Sequence, residues 1–518
     1  AAMCFQRVAD AGPASQPFEP QLSMLLATCW LRAGLPSAAE ERLADLQQRH
    51  PNLKIQAAGE EVSLFAAGST PLERLQEMTG IRASLEQGIE LQWTLHRGNP
   101  GRTGSMPGGM PLRSLWWEVL TANDASDERL IEQLRQKDRD RGLTSISHLQ
   151  PLVVNDVVLM RSPDRLLAVN FENGKRIWEF PWFDLPEEEV AKQVPNSSQR
   201  GTQQNRSQQL RQRLWEDAAF GELSSDGKRV FVLWDMSYAN DNPRARMMMV
   251  APGGLATSRP GQPKSHNQLA ALDMESEGSL LWVVGGESGE DDPRLAGAFF
   301  LGPPLPLYGQ LYCLVEFKGE IRLVVLDATN GQFQWSQQLA HVDARTIQLD
   351  RVRRLAGASP SFADGVLLCP TSAGAVVAVD VTTRSLLWGY QYNNRRIFNP
   401  RVGIPVAPGD MADDNWLDAT ITIAGDSVII TPIEGDELIC LELLTGQLRW
   451  KPQKRNAGLY IACIHNQAAV IVSSESLYAI KVADGTPAWE APLILDGEVP
   501  TGRNQFREDI HVSDTATF

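Results

Sequence analysis

The chain has 518 residues, with 63 acidic against 48 basic side chains, a net charge of -15 and a pI near 5.1, so its acidic surface repels phosphate backbones and excludes nucleic acid as an expected partner. Hydrophobic residues make up 43% and the mean hydropathy is -0.24, and the longest apolar runs, such as Ser427 to Pro432, are strand-sized, so no membrane span is expected. The length exceeds one ordinary core and calls for a small domain plus a large repeat domain.

The chain starts at Ala1 rather than Met, and its final segment, Thr501 to Phe518, is polar and unpatterned. It therefore reads as a piece of a longer protein, with any targeting segment expected upstream. Residues 20–53 have helical spacing: Leu26, Ala27, Trp30, Ala39, Leu43 and Leu46 recur on one face, Gly34 and Pro36 break the run, and Pro51 ends it. Leu26-Ala27-Thr28-Cys29 superficially has the form of a lipoprotein cleavage site. It lacks a basic segment upstream, carries Glu19 before the apolar run and has Thr28 in place of a small residue, so Cys29 is read as a core thiol on a helix. The arrangement resembles one tetratricopeptide unit of about 34 residues, with a generic helical hairpin as the alternative. A single such unit cannot bury its own face, so further repeats or packing elsewhere are expected to cover it.

After Pro71 a short helical segment (Leu72, Leu75, Met78) leads to a change of texture at Leu91, where β-branched runs separated by turn residues begin. This divides the chain into a helical region, 1–90, and an all-β region, 91–518, expected to be incomplete at its C-terminus. Three polar insertions interrupt the second: 122–142, charged and helical in pattern; 187–213, rich in Gln, Ser, Asn and Arg; and 238–267, rich in Pro, Gly and Met. They are expected on loops between strands.

A repeated ending runs through the second region. An apolar strand meets an Asp or Asn, a tight turn with Gly follows, and a Trp comes next: Asn170 to Gly174 and Trp178, Asp273 to Gly278 and Trp282, Asp327 to Gly331 and Trp335. The series continues with Asp380 to Trp388, where Arg384 replaces Gly, then Glu442 to Gly446 and Trp450, and Lys481 to Gly485 and Trp489. The Trp lies eight residues after the first turn position in every unit but the second, where the gap is nine. Upstream hairpin signals at Asn155-Asp156, Asp226-Gly227, Asp364-Gly365 and Gly425-Asp426 complete four strands per unit, which is one propeller blade. Trp-Asp blades of the WD40 type do not fit, because the residue after Trp is Glu, Val, Ser, Gly, Lys and Glu in turn.

The pattern resembles the PQQ-like repeat family, the superfamily of BamB-like and quinoprotein alcohol dehydrogenase-like propellers, over roughly 90–495. The opening stretch Trp93 to Asn99 with Arg102-Thr103-Gly104, followed by Leu115-Trp116-Trp117, is similar to the segment that begins many such propellers. The resemblance implies a mainly β fold, a β-propeller of four-stranded blades. Six are visible, and seven or eight are expected in the complete ring. It also implies an extracytoplasmic location in the cell envelope. A dehydrogenase of the superfamily would carry PQQ and a Ca²⁺ held by Glu and Asn, an Asp base, and often a Cys-Cys pair near the cofactor. Here Cys4, Cys29, Cys313, Cys369, Cys440 and Cys463 form no adjacent pair and no CxxC, and no positions match the calcium ligands.

No catalytic, cofactor-binding or metal-ligating residue is assigned from spacing. The acidic clusters Asp410, Asp413, Asp414, Asp418 with Asn415, and Glu287, Glu290, Asp291, Asp292, read as solvated loops, without EF-hand spacing. His96, His266 and His465 read as packing or loop-bonding histidines, and the stretches Gly98–Gly109 and Gly285–Gly289 lack the Lys-Ser/Thr of a phosphate loop. The expectation is a non-catalytic scaffold for protein partners without a cofactor. A PQQ/Ca²⁺ dehydrogenase and a ligand-binding sensor are the alternatives.

Overall fold

The computed structural model describes residues 2–32, 36–51, 53–57, 60–65, 70–79, 92–106, 117–122, 124–141, 145–181, 199–234, 264–342, 347–348, 350–392 and 415–494. The chain splits into two compact units, Ala1–Glu90 and nearly all of the remainder from Leu91. Among the described residues no helix is long and apolar enough to cross a membrane.

In the first unit, helices Gln21–Arg32 and Pro36–Arg49 pair as the spacing predicts, burying Ala27, Leu31, Ala39, Leu43 and Leu46 between them. Their apolar face is covered from within the unit. Leu64, beyond the hairpin Lys54–Ala57 with Glu60–Ser63, and Leu72 and Leu75 of helix Pro71–Thr79 join the same core.

Among the described residues the second unit holds six antiparallel sheets in chain order, over 152–180, 224–290, 299–341, 361–391, 422–454 and 458–494. We call these the first to sixth blades. Consecutive strands are neighbours except in the third blade, where Phe299–Phe300 and Leu305–Leu307 both pair with Gln310–Phe317; the second and third blades add a fifth short strand to the expected four. The early strands are the inner ones: Thr422–Ala424 is buried throughout, whereas the last long strand of the fourth blade, Ser385–Gln391, is largely exposed.

The Trp hairpin explains how blades stack. Asn170 Oδ1 accepts the Glu172 and Asn173 amides at 3.1 Å each, and Asp327 Oδ1 accepts the Thr329 amide at 2.8 Å. The turn then closes by a backbone bond from the residue four further on, as from Gly174 to Asn170 and from Gly331 to Asp327. That closing residue has positive φ, 69° at Gly174 and 70° at Gly331, so Gly is favoured there. A register shift on the outer strand follows in four blades, for example between Ala168/Val169 and between Ala378/Val379. This bulge turns Ile177, Leu281 and Leu387 to the surface and the next residue, Trp, inward.

Trp178, Trp282, Trp388 and Trp450 each lie on the turn glycine of the following blade. A Cβ added at Gly331 would stand 2.7 Å from the Trp282 ring, and one at Gly485 2.8 Å from Trp450. The indole N–H donates to the carbonyl just after the first turn residue: Trp282 to Ala328 at 3.3 Å, Trp388 to Leu443 at 2.9 Å and Trp450 to Val482 at 3.0 Å. Trp117 docks on the first blade in the same way, with its ring against Gly174 and its N–H 2.8 Å from the Phe171 carbonyl. It is a further use of the device that the six-fold sequence pattern did not include. Where Arg384 replaces Gly it keeps a φ of 57° and lays its guanidinium over the Trp335 ring, 5.4 Å from the centroid.

Two insertions carry helices. Asp124 caps Ala125–Arg139 by accepting the Ser126 and Asp127 amides, with acids in the first turn and Lys137 and Arg139 in the last, matching the helix dipole. The segment read as a polar loop at 187–213 instead contains helix Gln199–Trp215. The parts at 187–198 and 238–263 lie outside the described residues. Its polar composition hides only two core positions, Leu210 and Leu214, spaced i,i+4, which pack with Leu130, Leu149 and Phe220. Cys313, Cys369 and Cys440 are buried thiols as expected for small hydrophobes, while Cys463 is exposed on its strand.

Candidate functional site

The opening segment crosses the centre of the propeller. Trp93 bridges to Val153 and Leu95 to Ser224, the inner strands of the first and second blades. Further along, Pro100 accepts the Phe362 amide of the fourth blade at 2.9 Å and Gly101 accepts the Ile423 amide of the fifth at 2.8 Å. One stretch of a dozen residues thus ties inner strands from four blades, and residues 93–104 act as an axial plug. Its path is tight: a Cβ at Gly104 would stand 2.7 Å from the Arg97 carbonyl, and Gly98 needs a φ of 83°.

The plug carries His96, Arg97 and Arg102 inward, where they meet two carboxylates supplied just ahead of inner strands. Asp418, before the fifth blade, receives Arg97 Nη2 at 2.7 Å and lies 3.1 Å from His96 Nε2; Arg97 Nη1 also donates to Thr422 Oγ1 at 2.9 Å. Arg102 is 3% exposed and donates to the His96 carbonyl at 2.9 Å, Ser359 Oγ at 2.8 Å and the Pro360 carbonyl at 3.0 Å. Glu222, between helix Ala218–Gly221 and the second blade, is 5% exposed, and its carboxylate lies within 4.8 Å of the His96 and Asp418 ligand atoms. Among the described residues the Glu222 side chain accepts no hydrogen bond, and nearby Arg102 Nε and Ser224 Oγ are buried without a partner.

The two carboxylates are in opposite electrostatic situations. Burial pushes Asp418 up, but Arg97 and His96 and the bonds from His96 and the Thr420 amide outweigh it, holding the group well below the ordinary carboxylate range. Burial pushes Glu222 up to about 7, because the attraction of His96, Arg102 and Arg97 does not compensate for lost water and Asp418 repels it. Burial also brings Arg102 down to about 10 and lowers His148, which is half-buried and close enough to feel Asp418 and His96. A separate open cleft of about 490 Å³ lies between the fourth and fifth blades, lined by Gly374, Tyr390, Tyr392, Glu437 and Pro452 among others.

These placements revise the sequence reading. Asp418 is not part of a solvated acidic loop: an arginine and a histidine 321 and 322 residues away in sequence hold it at the axis. Asp410, Asp413 and Asp414 lie outside the described residues. Asp292, in the second acidic run, is buried, caps the short helix Pro293–Leu295, accepts the Phe333 amide at 3.0 Å and pairs with Arg294, while Glu287 and Glu290 are exposed. His96 bonds a distant carboxylate rather than its own loop. Glu222, Arg97 and Arg102 carry no local signal, since nothing in their spacing indicates that they converge.

The residues at the axis do not fit the calcium and quinone of a PQQ dehydrogenase. Calcium takes six to eight oxygen ligands, and the cluster offers two carboxylates beside two guanidinium groups. Both Asp418 oxygens are engaged, one by Arg97 and His96 and the other by the Thr420 amide at 2.7 Å.

Sequence comparison decides the family. The profile of the family described as outer membrane protein assembly factor BamB matches residues 211–451 and 372–500, more than half of the chain. The chain belongs to this family. Its sheets are blades of the PQQ-like propeller superfamily. No curated protein sequence matches it. Among solved structures, BamB from Moraxella catarrhalis is similar at 12% identity and a TM-score of 0.37, covering 66% of this chain and 72% of that one. A quinohemoprotein alcohol dehydrogenase from Comamonas testosteroni has 12% identity and a TM-score of 0.38, covering 68% of each chain. A europium-containing methanol dehydrogenase has 13% identity and a TM-score of 0.35 over 78% of this chain, which spans 61% of that one.

Proposed function

We propose that this BamB-family protein is a non-catalytic propeller scaffold that binds protein partners in an extracytoplasmic compartment of the cell envelope and carries no cofactor. The observation that supports it best is the axial plug: residues 93–104 fill the place where a propeller receives a ligand, and the charges there are engaged with one another. The family's description, which concerns outer membrane protein assembly, supports an envelope role and protein partners.

The test has two arms. Purified protein given PQQ, Ca²⁺, an alcohol or glucose and an artificial electron acceptor is expected to show no turnover above a no-protein control; sustained turnover overturns the proposal. In-cell crosslinking followed by mass spectrometry is expected to join blade surfaces to envelope proteins, and crosslinks only to cytosolic proteins would refute the location.

A further inference from the structure

We propose that the axial plug is a proton-controlled latch: with Glu222 protonated the plug is locked across the inner strands, and ionisation of Glu222 loosens it and opens the axis. The latch is built on geometry. Glu222 is held by helix Ala218–Gly221 on one side and the inner strand Ser224–Ser225 on the other, which fixes its backbone beside the second blade, and it is 5% exposed. Its carboxylate has no hydrogen-bond donor among the described residues, and it lies within 4.8 Å of Asp418, whose negative charge Arg97 and His96 fix in place. A proton on Glu222 leaves one buried carboxylate charge, paired with Arg97. Its loss creates a second, repelled by the first and deprived of solvent.

The groups facing Glu222 set what happens next. From the plug they are His96, Arg97 and Arg102, and from the fifth blade Asp418. The wider cluster adds His148 on the helical side, which feels Asp418, His96 and Asp217, and Tyr460 of the sixth blade, which feels Arg97 and Asp418. Arg102 is the cation with a spare donor, its buried Nε, and its other nitrogens clamp the plug to Ser359 and Pro360 beside the fourth blade. An ionised Glu222 draws Arg102 toward itself and away from that clamp. The plug amides that close its turns, from Gly98 to Leu95, Arg102 to Asn99 and Gly104 to Arg97, then exchange with solvent.

Hydrogen–deuterium exchange read by mass spectrometry tests this on the full chain, with rates corrected for intrinsic chemistry. Protection of the 92–104 peptide is expected to be greatest near pH 4.5, to fall by about tenfold per pH unit from there to neutrality and to level off above about pH 7, while a sixth-blade peptide covering Ala468–Ser473 stays unchanged. Glu222→Gln, which keeps the neutral shape, is expected to hold the plug protected at about pH 8.5. Protection independent of pH in the wild-type chain overturns the proposal without recourse to any variant. So does an equal loss in Glu222→Gln, or a loss shared by the sixth blade. Restoration of protection at alkaline pH by Mn²⁺, Zn²⁺ or Ca²⁺ added after EDTA treatment also overturns it, since the cluster would then be a cation site.

Discussion

Glu222 sets a measurable pH slope. Its unfolded pKa is an ordinary 4.5 and its folded value is raised to about 7, so between these pH values the folded state binds more protons. The stabilising proton is present in both states below 4.5; stability then falls as pH rises through 7 and levels off, a loss of about 3 kcal/mol. Glu222→Gln is therefore expected to raise the melting temperature at about pH 8 and to leave it nearly unchanged at about pH 4.5, by calorimetry. Asp418 has the opposite sign, with a depressed folded pKa and a contribution lost only on acidification. Asp418→Ala leaves Arg97 with Thr422 alone in a largely buried position and is expected to lose about 3–5 kcal/mol in urea unfolding. Neither role was legible in the sequence. Asp418 sits in an acidic stretch like many solvated loops, and Glu222 is flanked by apolar residues that say only that the segment is buried.

At the level of the blade, the Trp hairpin joins a turn, a bulge and an interlocking contact to the next sheet. The turn positions and the Trp spacing were readable because every part is local: a side-chain acceptor, a residue with positive φ and a strand that re-enters. The docking of Trp178, Trp282, Trp388 and Trp450 on the following glycine was not, because the partner lies in the next repeat. Gly331→Ala places a methyl group 2.7 Å from the Trp282 ring at a φ of 70°, and about 2–4 kcal/mol of stability is expected to be lost. Arg384→Gly tests the exception. Relief of positive φ and loss of the guanidinium over Trp335 oppose each other, so a net change within about 1 kcal/mol is expected. A large destabilisation there would mean that the arginine, rather than the backbone turn, carries that blade contact.

Across the whole propeller unit, the plug links blades that are not neighbours. Pro100 and Gly101 hold the inner strands of the fourth and fifth blades while Trp93 and Leu95 hold those of the first and second. Arg102→Gln removes the donors to Ser359 and Pro360, and exchange at the Phe362 and Ile423 amides is expected to rise together, although neither is an Arg102 partner. Acceleration at one alone would show that the plug does not act as a unit.

The sequence by itself determined the blade. Its hairpins, its turn acids and its Trp positions repeat at fixed local spacing, and local spacing survives in a single line of residues. Helical pairing near the N-terminus was legible for the same reason. Only the tertiary structure decided what occupies the axis, because His96, Arg97, Glu222 and Asp418 come from segments more than a hundred residues apart and meet only when the blades are arranged about a common centre. Burial then separated the two carboxylates, leaving Asp418 ionised against Arg97 and Glu222 neutral through the acid range. Desolvation and field arise from the assembled surroundings, and no residue carries them alone.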